Sequence, residues 1–116
     1  MTTIENTSAE RISAIVKAQR EFFASHRTLS VEYRMEMLRR LRKAITDNEE
    51  ALTDALRTDL NKSYEEAYLT EISIILGEID NFLKNLPRWA APSKRKTPFK
   101  LFPSRSYILT EPLGVS

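Results

Sequence analysis

The sequence has 116 residues, 41% of them hydrophobic and 29% charged, the composition of one small globular domain rather than of a disordered or fibrous chain. Two glycines beside five prolines are too few for a nucleotide-binding sheet with a glycine-rich phosphate loop, and the absence of cysteine with a single histidine excludes a disulfide framework, a thiolate or histidine-rich metal site and a cysteine nucleophile. Net charge is +2, but it is unevenly spread: Arg88, Lys94, Arg95, Lys96, Lys100 and Arg105 follow Pro87 without one acid among them, while the first 86 residues hold 12 basic groups against 15 acidic ones.

In chain order, Thr7 followed by Glu10 has capping-box spacing, which predicts a helix from there to about Ser25. Its apolar stripe is Ile12, Ile15, Val16, Phe22 and Phe23, interrupted by Gln19. Ser30 is placed to cap a second helix whose Val31, Arg34, Met37, Leu38, Leu41 and Ile45 trace one face. Asp47 with Glu50 repeats the box and predicts a short third helix carrying Ala51, Leu52, Ala55, Leu56 and Leu60. Asn61 follows, a residue type that tolerates the left-handed conformation closing many helices.

Ser63 with Glu66 opens the longest predicted helix, from Tyr64 to Leu86, with a stripe of Tyr68, Ile72, Ile75, Ile79, Phe82 and Leu86. Pro87 is expected to end it. Pro92, Pro98 and Pro103 then punctuate a basic stretch without period, read as a linker laid over a surface. Tyr107 to Thr110 supply strand-forming residues, and Leu113, Gly114 and Val115 look like the start of a second strand. The expected division is a helical domain over 1–91, a proline-rich basic linker over 92–104, and the beginning of strands over 105–116. The fold class is mainly α: an antiparallel bundle of about four helices, then the linker and a short β segment.

Candidates for chemistry are few. His26 is the one possible general base and Ser25 its neighbour, but consecutive helical side chains do not face each other. The preferred reading puts His26 at the C-terminal end of the first helix, since histidine enters the left-handed region more readily than most residues. Glu10, Glu50 and Glu66 have capping roles, and Glu71 and Glu78 read as a solvated or salt-bridged face. Lys94, Arg95 and Lys96 beside Trp89, Phe99 and Phe102 have the makings of a nucleic-acid patch; a linker pinning its aromatics to a neighbouring surface explains the same residues with fewer assumptions. No residue is assigned as catalytic, cofactor-binding or metal-binding. The segment Met1 to Glu10 lacks the charged and apolar regions of a signal peptide, and apolar runs such as Ile74 to Leu76 are far shorter than a membrane span, so a cytoplasmic location is expected.

Several pieces in order carry a resemblance: Arg34 with Leu38 and Leu41, Asp59-Leu60-Asn61-Lys62, Thr70-Glu71-Ile72, Leu86-Pro87-Arg88-Trp89, Thr97-Pro98, and Glu111-Pro112-Leu113-Gly114-Val115. Together they resemble the N-terminal portion of an aldehyde dehydrogenase, of the class 3 and fatty aldehyde dehydrogenase branch. His26 departs from that pattern, standing where the branch often has glycine. The resemblance implies a parent enzyme that oxidises aldehydes to carboxylic acids with NAD or NADP through a cysteine thiohemiacetal. It also implies that the catalytic cysteine, glutamate and asparagine lie beyond Ser116, so that the chain is an inactive scaffold fragment binding no cofactor. Its implied partners are the missing C-terminal part of the same enzyme and a second subunit, met through the 105–116 strand region. A stand-alone helical protein-interaction module is the alternative; a weak nucleic-acid binder through Lys94, Arg95 and Lys96 is a further one.

Overall fold

The computed structural model describes residues 6–115. Its elements are helices α1 (Ala9–Ala24), α2 (Val31–Asp47), α3 (Glu49–Leu60), α4 (Tyr64–Ala67) and α5 (Ser73–Ala90), and strands β1 (Ser93–Arg95) and β2 (Ser106–Ile108). The mainly helical architecture with a short β segment is the one expected from the sequence.

Three helix starts, those of α1, α2 and α4, have a local cause in a serine cap. Ser30 Oγ accepts the Tyr33 N–H at 3.1 Å and Ser63 Oγ that of Glu66 at 3.2 Å, as predicted. For α1 the cap lies one residue later than the Thr7 reading: Ser8 Oγ takes the Arg11 N–H at 3.3 Å. Glu10 therefore sits in the first turn, where its own backbone N–H and then the Ser8 hydroxyl hold its carboxyl below the ordinary value.

The Asp47–Glu50 box is also corrected. Asp47 is still helical and its carboxylate takes Lys43 Nζ at 2.6 Å, while Asn48 breaks the helix and turns its amide back to the Ala44 carbonyl at 2.8 Å. The ion pair and the backward bond leave neither side chain free to cap α3. His26 (φ 60°) and Asn61 (φ 54°) both occupy the left-handed region, as expected at helix ends.

The predicted fourth helix is interrupted by a π turn over Tyr68–Ile72. The wider turn rotates everything downstream relative to a uniform 3.6-residue pattern. Ile72 and Ile79 are buried as expected, but Leu76 and Leu83 flank them, while Ile75 is 46% exposed and Phe82 is exposed too.

Nor does Pro87 end α5, which continues to Ala90. The proline removes only the bond to the Leu83 carbonyl, with one turn left to carry. That turn is held from outside: Trp89 packs edge-on against Phe82 with centroids 5.3 Å apart, and Thr110 Oγ1 donates to the Trp89 carbonyl at 2.9 Å. The stop comes from Pro92, which drives Ala91 to an extended ψ of 141°.

α2 packs along α5, and α3 against α4. Glu49 meets the Tyr64 hydroxyl at one end and Arg42 meets Asp80 further along, so the two long arms run antiparallel. The buried centre is small: Ala67, Ile72, Ile79 and Thr53, whose hydroxyl donates to the Glu49 and Glu50 carbonyls. α1 buries none of its residues. It touches α2 at its C-terminal end, where Phe22 and Tyr33 ring centroids are 6.0 Å apart.

The span read as linker contains a strand. β1 pairs antiparallel with β2, Lys94 opposite Tyr107, so the tail finds a partner inside the chain. Residues 113–115 form no strand. The radius of gyration is 20.5 Å, against about 13 Å for a compact chain of this length. The helices are laid out as an open frame with much of their apolar surface uncovered.

Candidate functional site

The residues weighed for chemistry are not gathered. Ser25 Oγ donates to the Phe22 carbonyl at 2.6 Å rather than to His26, so that pair is a helix end and not a nucleophile with its base. Glu10, Glu50 and Glu66 lie in the first turns of three different helices. Glu78 is exposed on α5. Glu71 is salt-bridged, one of the two readings given for it, in a cluster whose other members the sequence reading did not connect to it. Lys62 Nζ reaches Glu71 Oε1 at 2.5 Å and Thr70 Oγ1 at 3.1 Å, with the Lys62 side chain only 19% exposed.

Local sequence explains why these three meet. Asn61 turns left-handed and Ser63 opens the next helix, so Lys62 is trapped between two caps and points along the helix that follows. The π turn brings Thr70 and Glu71 to the same side. The ammonium ties the loop 61–63 to the turn, and with both anionic and hydroxyl partners engaged it is a clamp rather than a reactive amine. Its sequence signal was the pair of motifs Asp59-Leu60-Asn61-Lys62 and Thr70-Glu71-Ile72, which come together in space.

The other motifs are joints of the same kind. Arg34 Nη2 donates to the Leu29 carbonyl at 3.3 Å, fixing the α1–α2 turn. Trp89 and Thr110 join α5 to the tail. Arg42 binds Asp80 through two nitrogens at 2.8 and 3.2 Å; these hydrogen bonds, with the charge behind them, hold the Asp80 carboxyl below its ordinary value against the opposing effect of desolvation.

An open apolar groove of about 590 Å³ lies between α1 and the tail, lined by Ile15, Phe22, Phe23, Thr28, Gly114 and Val115 among others. Nothing lining it titrates. Gly114 is needed there for its φ of 110°, with the Phe23 ring 3.6 Å from where a Cβ would stand. A second groove, about 420 Å³, is lined by Lys94, Arg95, Lys96, Thr97, Ser104 and Arg105. Trp89 faces Phe82 and stays apart from the stacked pair Phe99 and Phe102, so the aromatics weighed for a nucleic-acid patch divide between two places.

A nicotinamide dinucleotide does not fit these residues. Gly77 lies within α5 with open space about it, and Gly114 faces a phenyl ring; neither opens a helix N-terminus on which a pyrophosphate rests. Among the described residues no group of His, Asp or Glu is placed to hold a metal ion, and no helix is long and apolar enough to cross a membrane.

The aldehyde dehydrogenase family model matches residues 1–116. The chain is 43% identical over 93 residues, 80% of its length, to a 4,4'-diaponeurosporen-aldehyde dehydrogenase of Staphylococcus aureus, covering 20% of that protein. It is 39% identical over 106 residues to a dimeric NADP-preferring aldehyde dehydrogenase of Canis lupus familiaris, covering 90% of this chain and 23% of that one. Relatives named as family 3 aldehyde dehydrogenases match as well. Among solved structures, the substrate-bound state of Staphylococcus aureus AldH superposes with a TM-score of 0.83 at 38% identity, over 93% of this chain and 23% of that one. The chain spans about a fifth of the length of these curated relatives. With the family model matching the whole sequence and the fold shared over 93% of it, the chain belongs to the aldehyde dehydrogenase family.

Proposed function

We propose that the chain is the N-terminal scaffold of an enzyme that oxidises aldehydes to carboxylic acids with NAD or NADP as the hydride acceptor. The observation that carries this reading is the family match along residues 1–116, over a region in which the chain's own side chains act as joints. A chain without cysteine holds no thiolate to attack an aldehyde, and its residues do not fit the cofactor. Its share of the work is mechanical. The α2–α5 pair, pinned by Arg42 and Asp80, the loop clamped by Lys62, and the Phe22–Gly114 groove between α1 and the tail present apolar faces to the rest of the enzyme.

That role accounts for an open frame that, among the described residues, buries only the hydrophobic Ala67, Ile72 and Ile79, which disfavours a stand-alone interaction module. The free edge of β2 is the proposed route to a second subunit, because unpaired strand N–H and C=O groups template another strand; the dimeric name of the canine relative supports it. A cytoplasmic location is proposed, since a cysteine-free sequence gains nothing from an oxidising compartment.

The test compares nicotinamide reduction by the 116-residue chain with that by the full polypeptide carrying it, across aliphatic and aromatic aldehydes. The chain alone is expected to stay at the protein-free rate and the full polypeptide to turn over. Turnover by the chain alone, or none by the full polypeptide with any aldehyde, refutes the reading.

A further inference from the structure

The helix that runs without a break from Tyr64 to Ala90 docks on two different neighbours. Its first turn, α4, packs on α3, where the Tyr64 hydroxyl donates to Glu49 Oε1. Further along, α5 packs on α2, where the Asp80 carboxylate accepts from Arg42 at 2.8 and 3.2 Å. A uniform α-helix turns about 100° per residue. Without the extra residue of the π turn, therefore, Asp80 would stand about 100° round the axis from Arg42 while Tyr64 stayed on Glu49. Side chains at the turn replace what its wide spacing gives up. The Ser73 N–H reaches the Tyr68 carbonyl, and the Leu69 carbonyl, its partner in a regular helix, takes the Ser73 hydroxyl at 2.9 Å instead. Thr70 Oγ1 donates to the Glu66 carbonyl at 2.7 Å and accepts from Lys62 Nζ at 3.1 Å, while the same ammonium holds Glu71.

We infer that the π turn is a register joint locked by Lys62 and Ser73. Locked, it lets one helix meet Glu49 at one end and Arg42 further along. Unlocked, the Ser73 N–H moves to the Leu69 carbonyl, the turn closes to the regular spacing, and Asp80 swings off Arg42. A π turn is rare in a helix left to itself, so it needs a hold, and the bonds of an ammonium to a carboxylate and a hydroxyl are strong ones. Lys62 is thus a positioning residue for an ion pair it does not touch. Every contact in the lock lies within the chain, so the inference rests neither on which faces the remaining enzyme covers nor on the aldehyde reading.

The experiment is amide hydrogen exchange, resolved by peptide mass spectrometry, on the full polypeptide carrying this chain and on its Lys62→Met, Asp80→Asn and combined variants. Lys62→Met is expected to speed exchange about tenfold, the worth of a lost charge-assisted bond, at the turn itself and also on α2 around Arg42 and on α5 around Asp80. Asp80→Asn is expected to speed exchange at those two distant places and not at the turn. The combined variant is expected to exchange there no faster than Lys62→Met alone, because the pair is already parted. A change confined to residues 61–73 in Lys62→Met, or a further about tenfold rise around Arg42 in the combined variant, would overturn the inference. The crystal structure of the full polypeptide with Lys62→Met and Ser73→Ala is the second measurement. It is expected to show regular helix over 68–72 with Asp80 away from Arg42, and a retained π turn with the pair intact would overturn the inference as well. If that double variant does not fold, the structure of Ser73→Ala with Lys62 kept is read against the same two outcomes.

Discussion

The helical frame and the arm after Ala91 hold their shapes by different means. In the frame, α2 lies along α5 over Ile72 and Ile79, Arg42 ties to Asp80 far along the chain, and Lys62 ties to Glu71 across a loop. In the arm none of the described residues is buried. It is kept by a three-residue ladder between β1 and β2, by Thr97 Oγ1 with Ser106 Oγ at 3.0 Å, and by the Thr110 bond to Trp89. Burial stabilises the frame on its own account, whereas a two-stranded ribbon is marginal in water and relies on what it touches.

The largest effect that separates the two regions is expected at Ile79. It is 5% exposed, and Ile79→Asp places an unpaired carboxylate in the small buried centre. A loss of about 3 to 5 kcal/mol is expected by urea unfolding, against under about 1 kcal/mol for Ile75→Asp. Equal losses would mean that the π turn does not rotate the face as described. Next comes the clamp: Lys62→Ala frees Glu71 and Thr70 and is expected to cost about 1 to 2 kcal/mol. The same change at Lys94, whose ammonium meets no carboxylate among the described residues, is expected to leave the unfolding midpoint in place.

Ser8→Ala is expected to cost about 1 kcal/mol of helix stability, seen as lost ellipticity from α1, while Thr7→Ala leaves the spectrum as it is. The reverse pattern would restore the earlier cap. Smaller still is the contribution of Asp80. Its carboxyl is held below the ordinary value in the folded chain, so its stabilisation is full above the unfolded value and fades as pH falls through the lowered one. Between about pH 5 and pH 2 the parent is therefore expected to lose more stability than Asp80→Asn. A parent and variant that lose stability in parallel would remove the Arg42 pair from the account. The smallest effect is expected from ending the chain at Ala91: apart from the last turn of α5, which loses Thr110, helical ellipticity should stay, and a melted frame would make the arm part of the core.

Much of the local structure was legible in the sequence because its causes are local. The caps at Ser30 and Ser63 and the left-handed turns at His26 and Asn61 depend on one side chain and the backbone within four residues. Where two neighbours qualify, the reading slips: Thr7 and Ser8 both carry a hydroxyl, and only the helix's actual first turn selects Ser8. Asp47 failed as a cap because Lys43, one turn earlier, takes its carboxylate. At Pro87 the general expectation of a stop was overruled by Trp89 and Thr110, 21 residues apart.

The candidate chemistry was legible mainly as what it is not. Composition settled that no cysteine is present, and adjacency settled that Ser25 and His26 do not cooperate. That Lys62 meets Thr70 and Glu71 was hidden, because their spacing of eight and nine residues becomes a contact only across a loop and a π turn.

By itself the sequence determined the helix starts at Ser30 and Ser63, the break at Asn61 and the acid-free basic stretch, all set by interactions within a turn or by composition. Tertiary structure alone decided the extra residue in the turn at Tyr68–Ile72, which line of α5 is covered, how far α5 runs past Pro87 and that β1 pairs with β2. Those depend on contacts between residues distant along the chain. A periodic pattern shows where an apolar face is possible, but its partner decides which face is buried.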